Sequence, residues 1–273
     1  MRLKIHISTC PNDTFMFDAL LHHRLDTEGL EFDPYLADIE VLNTMAVDGV
    51  PDITKCSYAV LPEILDQYQV LSSGSALGRG NGPLLVSKKP LNKENLKDLS
   101  VAIPGKRTTA NLLMKNLFPE LKDKREMVFS EIIPAVASGQ VDAGVLIHEG
   151  RFIYPDHGLH LVADLGVEWE GKYGLPLPLG AIAVRRSLPG EVKRKIDRLL
   201  SHSVRFAFEH PEASRQFIKQ HAQELNDAVI QSHIDLFVNE FSVHLGNTGR
   251  RAVQQLIKNN TEEFVFVPCE KQP

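Results

Sequence analysis

Hydrophobic and polar positions alternate at the start of the chain and then change to a helical spacing. Leu3, Ile5 and Ile7 alternate with polar residues, as in a half-buried strand, and apolar residues from Phe15 to Leu21 follow at the spacing of a helix. These two patterns recur and predict strands near 2–8, 30–36, 52–56, 69–73, 83–87, 101–103, 126–129, 143–147, 160–164 and 180–184. They favour helices at 14–23, 39–47, 58–66, 109–117 and 131–138. Alternating strands and helices indicate an α/β fold.

The last part of the chain has a helical pattern throughout. It predicts helices at 191–209, 212–222, 226–239 and 248–259. We expect these later helices to pack back onto the sheet formed by the earlier strands.

Two segments interrupt the pattern and are typical of crossings between domains. Residues 74–83 contain four glycines, and residues 174–180 read Gly-Leu-Pro-Leu-Pro-Leu-Gly. A βαβαβ pattern of about 90 residues lies between them, which is long enough for a small domain. We therefore predict a larger discontinuous domain, residues 1–87 and 180–273, and a smaller inserted domain, residues 88–179. This organisation predicts a ligand cleft between the domains that closes by a hinge motion. The alternative is a single doubly wound sheet with long loops.

Composition and charge narrow the class of ligand. The chain has 273 residues, is 43% hydrophobic and 24% charged, and carries a net charge of −5. Acidic and basic residues are interspersed, which argues against nucleic acid or a membrane surface as a partner and favours a small molecule. Cys10, Cys56 and Cys269 form no CxxC pair, and no clustered metal ligands occur, so neither a disulfide framework nor a metal site is predicted. The sequence contains no signal-peptide core and no run of about 20 apolar residues, which predicts a cytoplasmic protein. Its oligomeric state stays open.

Polar residues join the first strand to the first helix. Asn12 or Asp13 suits the N-cap of that helix, where a side-chain oxygen accepts from a backbone N–H group. The other N–H groups of the first turn can face a ligand. We predict that the segment from Ser8 to Asp13 lines a binding site, with Asn12 and Asp13 as candidate substrate-binding residues.

Two further strand ends carry candidate binding residues. The strand near 52–56 ends with Lys55, Cys56 and Ser57, where Lys55 suits an acidic group and Ser57 either caps a helix or contacts the ligand. Thr108 and Thr109 open the helix at 109–117, where they either hold a carboxylate or sugar hydroxyl or simply cap the helix. We expect Cys10 and Cys56 to be small residues of the core or the cleft, because no histidine near them in the sequence supports a nucleophilic role.

Glycine-rich nucleotide motifs are absent. The loop before Thr108 lacks the GxxxxGK[ST] spacing, and the glycines at 74–82 do not follow the GxGxxG order. We therefore predict no nucleotide cofactor. Arg79, which lies among the glycines at 74–82, nevertheless has the charge to bind an anion.

His148 follows the apolar run at 143–147 and is the candidate general base. A histidine at the carboxyl end of a strand in an open α/β sheet faces the ligand crevice, and its ordinary pKa lies near neutrality. The alternative is a structural histidine that bonds a neighbouring carbonyl or Glu149.

Together these segments resemble one enzyme family. The order of the motifs, from about residue 3 to about residue 258, is similar to that of the 1,4-dihydroxy-6-naphthoate synthase family of the futalosine route to menaquinone. The resemblance is carried by Cys10–Phe15, Lys55–Tyr58, Gly74–Pro83, Pro104–Ala110, Ile147–Glu149 and Gly174–Gly180.

The resemblance implies a two-domain fold like that of type II periplasmic binding proteins, used as an enzyme. It implies a lyase that cleaves cyclic dehypoxanthine futalosine to 1,4-dihydroxy-6-naphthoate and dihydroxyacetone, without a metal or redox cofactor. It implies that His148 accepts a proton and that Lys55 to Ser57 and Thr108–Thr109 bind substrate. Gly150 departs from the family, in which we expect a serine. The alternatives are a solute-binding protein for a small organic acid and the related chorismate dehydratase.

Overall fold

The computed structural model describes residues 1–93, 96–148, 150–222, 226–258 and 261–268. In these ranges the strands are β1 Arg2–Ser8, β2 Glu31–Ala37, β3 Ile53–Ser57, β4 Tyr68–Val70, β5 Ala76–Gly78, β6 Leu84–Ser87, β7 Val101–Ile103, β8 Lys124–Glu126, β9 Ala143–Leu146, β10 His160–Asp164 and β11 Leu177–Arg185.

The α-helices of the same ranges vary from single turns to 20 residues. They are α1 Pro11–Leu21, α2 Ile39–Val47, α3 Leu61–Ile64, α4 Thr109–Leu117, α5 Phe129–Ser138, α6 Gly150–Ile153, α7 Leu165–Tyr173, α8 Gly190–Glu209, α9 Arg215–His221, α10 Asp227–Phe237, α11 Glu240–Val243, α12 Gly246–Ile257 and α13 Glu262–Val265. Short 3₁₀ turns lie at Tyr58–Val60, Tyr154–His157 and Pro211–Ser214.

The chain forms two compact units. Unit 1 comprises Met1–Leu77 and Pro178–Pro273, and unit 2 comprises Gly78–Leu177. The predicted boundaries at 87/88 and 179/180 both fall later in the chain than those of the two units. The first differs because β6 belongs to the sheet of unit 2.

Unit 1 contains a six-stranded sheet in the order β2-β1-β3-β11-β4, with β5 paired to β11. β1 is parallel to β2 and β3, whereas β11 is antiparallel to β3, with Gly180 opposite Ser57. The carboxyl ends of β1 and β3 therefore share one edge of the sheet with the first residues of β11. α1 packs against α8, α9 and α10, and ten of its residues are buried. One hydrophobic core also joins residues of β1 and β11 to residues of α8, α9 and α10, so the later helices pack back onto the sheet, as expected.

Unit 2 contains a five-stranded sheet in the order β10-β6-β9-β7-β8. β7 is parallel to β9, and β6 is antiparallel to both β9 and β10. The carboxyl ends of β7, β9 and β10 therefore lie on one edge of the sheet. The unit has a core of its own, formed by Leu84, Val86, Ala102, Ile132, Ile133, Ala135, Val136, Val141, Leu146 and Leu159.

Some elements differ from the prediction. β8 lies at 124–126 rather than 126–129, because this edge strand is a charged, partly exposed Lys-Arg-Glu sequence without alternation. β5 falls within the glycine-rich segment that we interpreted as a crossing. α7 was missed, since few of its residues are buried and its start depends on Asp164, whose side chain accepts from the N–H groups of Gly166 and Val167.

Candidate functional site

In unit 1 the carboxyl end of β1 meets the first turn of α1 at a buried carboxylate. α1 begins at Pro11, so the predicted N-cap at Asn12 or Asp13 is wrong: Cys10 occupies the N-cap position without a side-chain cap bond. Proline is favoured at the first helical position, where its missing N–H group has no helical partner to lose. Asp13 therefore lies inside the first turn, where a negative charge is stabilised by the helix dipole.

Four donors surround the Asp13 carboxylate. One oxygen accepts from Ser8 N at 3.1 Å and Ser8 Oγ at 2.7 Å. The other accepts from Asn12 Nδ2 at 2.9 Å and from Lys55 Nζ at 2.7 Å. The side chains of Asp13 and Lys55 are 0% and 5% exposed. This is a buried ion pair whose acidic member is held by hydrogen bonds on both oxygens.

Lys55 and Ser57 lie on the same face of β3, because successive side chains of a strand point to opposite sides. Lys55 carries three N–H donors, and Asp13 is the hydrogen-bond partner of Nζ among the described residues. Gly180 makes room for the lysine stem, since a Cβ at that position would lie 2.7 Å from Lys55 Cε. Ser57 does not cap the following 3₁₀ turn. Its N–H donates to Asn43 Oδ1 at 2.8 Å, and its Oγ accepts from Asn43 Nδ2 at 3.0 Å.

The two cysteines of unit 1 in the described ranges form no disulfide. Cys56 is fully buried on the opposite face of β3 from Lys55, and burial raises the pKa of its thiol to about 12. Such a thiol stays protonated at neutral pH, which agrees with the predicted non-nucleophilic role. If Cys56 contacts the substrate, it does so through its backbone. Its role as a substrate-binding residue stays a prediction. Cys269 lies outside the described residues.

In unit 2 the candidate residues gather at the edge of the sheet where β7 and β9 end. Thr108 is the N-cap of α4, and its Oγ accepts from Asn111 N at 3.2 Å and donates to Gly105 O at 2.8 Å. Thr109 is the first residue of this nine-residue helix. Both threonines are 3% exposed. Thr108 therefore has the capping role considered from the sequence, and one acceptor lone pair of its hydroxyl remains for a ligand.

His148 lies two residues after β9, the strand next to β7, and therefore on the same sheet edge as Thr108. Its φ angle is +54°, a left-handed conformation that is uncommon for residues other than glycine. Its half-buried ring packs against the ring of Phe129 in a T-shaped arrangement, with ring centroids 4.8 Å apart. Strained backbone of this kind concentrates at functional sites. Glu149, which we considered as a partner of His148, lies outside the described residues.

The segment after His148 is anchored by an arginine that the sequence did not single out. Arg151 donates to Gly82 O at 2.6 Å and to Asp164 Oδ2 at 2.9 Å. Asp164 ends β10 and caps α7, so Arg151 ties α6 to two neighbouring segments of unit 2. Gly150 is buried, and a Cβ added there would meet its nearest neighbour at 3.5 Å. This position accepts a small side chain such as the serine expected in the family.

Three further observations concern an anion ligand, a metal site and membrane spans. Arg79, considered as an anion ligand, pairs with Glu170 at 3.4 Å. No group of three or more His, Cys, Asp and Glu side chains there is arranged to hold a metal ion. Across the same ranges, helices of the length and apolar character required to cross a bilayer are absent.

Comparison with known proteins identifies the family. A family profile described as menaquinone biosynthesis matches residues 3–262. The chain is 46% identical over 269 residues to the 1,4-dihydroxy-6-naphtoate synthase of Thermus thermophilus, covering 98% of this chain and 97% of that protein. It is 44% identical over 266 residues to the protein of the same name from Streptomyces coelicolor, covering 96% of this chain and 93% of that protein. The chain belongs to this menaquinone-biosynthesis family.

Solved structures share the fold of this chain. A protein from Archaeoglobus fulgidus is 34% identical, with a TM-score of 0.89 over 94% of this chain and 96% of that one. A Candida albicans protein described as having the generic periplasmic binding protein fold is 11% identical, with a TM-score of 0.70 over 94% of this chain and 89% of that one. The second similarity concerns the fold alone. The predicted periplasmic-binding-protein-like α/β fold of this family member is thus confirmed.

Proposed function

We propose that this enzyme of menaquinone biosynthesis cleaves cyclic dehypoxanthine futalosine to 1,4-dihydroxy-6-naphthoate and dihydroxyacetone. The chain shares nearly its whole length with relatives named for the synthesis of this naphthoate. The observation that carries the proposed mechanism is the position of His148. It lies on the same edge of the unit 2 sheet as the first turn of α4, with its backbone in a left-handed conformation.

His148 acts as the general base in this proposal. A neutral imidazole accepts a proton from the substrate, and the electron pair left behind drives cleavage of the carbon–carbon bond. The imidazolium then returns the proton to the products, so the reaction balances without an added reagent. The contact with Phe129 restricts the orientation of the ring. A well-placed base contributes a factor of about 10²–10⁴ to the rate. The aromatic stability of the naphthoate product supplies much of the driving force, and substrate orientation supplies the remainder of the acceleration.

Each of the two clusters of polar residues, taken within its own unit, binds substrate in this proposal. The remaining N–H donors of Lys55 suit a carboxylate or carbonyl oxygen of the substrate, as does the hydroxyl of Ser57. Asn12 and Asp13 act mainly by holding Lys55, because their polar atoms already bond to protein groups. The remaining lone pair of the Thr108 hydroxyl accepts from a hydroxyl of the substrate. Thr109 contacts the substrate at the first turn of α4, where the helix dipole favours negative charge.

Replacement of His148 tests the assignment of the base. We expect His148→Asn to reduce turnover of cyclic dehypoxanthine futalosine by at least about a hundredfold, because an amide cannot accept a proton at neutral pH. Product formation is followed by chromatography, and thermal unfolding and calorimetric binding of the naphthoate verify that the fold and the binding site persist. His157→Asn, at an exposed histidine of the same unit, is the matched control. Near-wild-type turnover by His148→Asn contradicts the role of His148, and conversion of chorismate in place of the futalosine derivative contradicts the proposed reaction.

A further inference from the structure

A buried histidine of α10 contacts the Asp13 cluster from a distant part of the chain. His233 is 1% exposed, and its Nε2 lies 3.1 Å from Asn12 Oδ1. The two residues are 221 positions apart in the sequence. Asn12 is itself 6% exposed and donates through Nδ2 to Asp13. The hydrogen bonds therefore form a continuous chain from His233 through Asn12 and Asp13 to Lys55.

The ion pair determines the direction of each hydrogen bond in this chain. An ionised carboxylate only accepts hydrogen bonds, so the Asn12 atom that faces Asp13 must be the Nδ2 donor. The carbonyl Oδ1 of Asn12 consequently faces His233, and it only accepts. His233 must therefore carry a proton on Nε2 and donate it to Asn12. Each group has one orientation that satisfies its neighbours. Removal of the His233 donor therefore takes a hydrogen bond from the buried Oδ1 of Asn12, which has an energetic cost.

We infer that His233 is a positioning residue for substrate binding: through Asn12 it fixes the Asp13 carboxylate, which holds Lys55 at the end of β3. This inference rests on the proposed function, in which Lys55 contacts the substrate. His233 itself donates to Asn12 rather than to Lys55, and α10 is attached through α1 to the strand end that carries the cluster. The helical part of unit 1 thereby takes part in substrate recognition.

Two replacements of His233 separate positioning from packing. His233→Phe keeps an aromatic ring beside Phe237, whose centroid is 4.8 Å from that of His233, but it removes the donor. His233→Gln keeps an N–H donor at a similar reach. We expect KM for cyclic dehypoxanthine futalosine to rise about tenfold in His233→Phe, with kcat within about twofold of wild type, because a loosened Lys55 weakens binding before and during the reaction equally. His233→Gln should restore most of the affinity.

Phe237→Leu provides the matched control. It perturbs the same ring contact and the same helix without touching Asn12, so it should lower the melting temperature and leave KM unchanged. A double-mutant cycle with Asn12→Ala completes the test. If His233 acts through Asn12, the double variant His233→Phe/Asn12→Ala should have a KM no higher than that of Asn12→Ala alone.

The outcomes distinguish this inference from the proposed function. A wild-type KM in folded His233→Phe, additive effects in the cycle, or equal defects in the Phe and Gln variants would overturn the positioning role while the proposed reaction stands. Absence of turnover by the wild-type enzyme would overturn both. A raised KM in His233→Phe that Gln rescues and Phe237→Leu does not reproduce supports the inference.

Discussion

Asp13 is the residue on which the unit 1 cluster depends, since it accepts hydrogen bonds from Ser8, Asn12 and Lys55. Asparagine, the neutral isostere of aspartate, should show how much the charge of Asp13 contributes to stability. We expect Asp13→Asn to lower the free energy of unfolding by about 3–5 kcal/mol, because it leaves the Lys55 ammonium buried without a counter-charge. Urea unfolding followed by circular dichroism measures the change.

The double variant Asp13→Asn/Lys55→Met is the comparison for this prediction. It should be more stable than Asp13→Asn alone, since no unpaired charge remains in the interior. A single variant within about 1 kcal/mol of wild type would show that water or a rearranged partner compensates the lysine.

Two glycines of unit 2 offer a second prediction at the residue scale. A Cβ at Gly150 meets its nearest atom at an ordinary 3.5 Å, whereas at Gly166 it would lie 2.1 Å from the backbone of Asn81. We expect Gly150→Ala to change stability by less than about 0.5 kcal/mol and Gly166→Ala to cost about 3 kcal/mol or more. Thermal unfolding of both variants tests this, and equal melting temperatures would contradict it.

Individual residues also show where the sequence was insufficient. The position of Thr108 before α4 was predictable, because a threonine before an apolar helical run is a local pattern. The N-cap of α1 was misplaced, since Asn12 and Asp13 have capping side chains but Pro11 begins the helix. His233 had no local indication of its role: its partner lies in the first turn of α1, and only the packing of α10 on α1 brings them together.

At the scale of elements, β7 and β9 are joined by a carboxylate at their amino ends. Asp142 Oδ2 accepts from Ser100 Oγ at 2.7 Å and from Ser100 N at 2.8 Å. These bonds, the side-chain bond foremost, lower the pKa of Asp142 below its ordinary value. A lowered folded-state pKa contributes stability above the unfolded value of about 3.9, and this contribution is lost as the pH falls through the folded value.

Removal of the Ser100 hydroxyl should therefore have a pH-dependent cost. We expect Ser100→Ala to lower the free energy of unfolding at pH 7 by about 0.5–1 kcal/mol, a modest value because water screens this partly exposed carboxylate. The difference from wild type should be smaller at about pH 3, below the ordinary aspartate value of about 3.9, because the contribution of a carboxyl whose pKa is lowered in the folded state is lost as the pH falls. Urea titrations at the two pH values measure it. Ser138→Ala, whose hydroxyl bonds only the Ala135 carbonyl among the described residues, should show no such pH dependence.

Elements with strong periodicity were predictable, and weakly patterned elements were not. β1, β3 and α4 lie within one residue of their predicted bounds, because buried alternation or a marked apolar face defines them. The edge strand β8 and the helix α7 are stabilised by neighbours and a cap rather than by a buried stripe. Their sequences therefore resemble those of loops.

At the scale of the molecule, unit 2 is one continuous segment with its own sheet and core. We expect a fragment of residues 78–177 to fold alone and to unfold cooperatively in urea, because a domain of about 100 residues can bury a sufficient core. Circular dichroism across a urea titration tests this. The fragment 1–77, which lacks β11 and α8, should stay largely unfolded. A gradual, non-cooperative transition of residues 78–177 would show that unit 2 depends on the remainder of the chain.

The position of β11 also sets the order in which the protein can fold during its synthesis. β3 and β4 are adjacent in the first 77 residues, yet in the finished sheet β11 separates them. Until the ribosome has produced residues 177–185, the buried strand β3 lacks one neighbour and presents unpaired backbone groups. Unit 2 can therefore fold while the sheet of unit 1 still lacks β11. The nascent chain therefore passes through a stage in which pairing with another chain competes with correct folding.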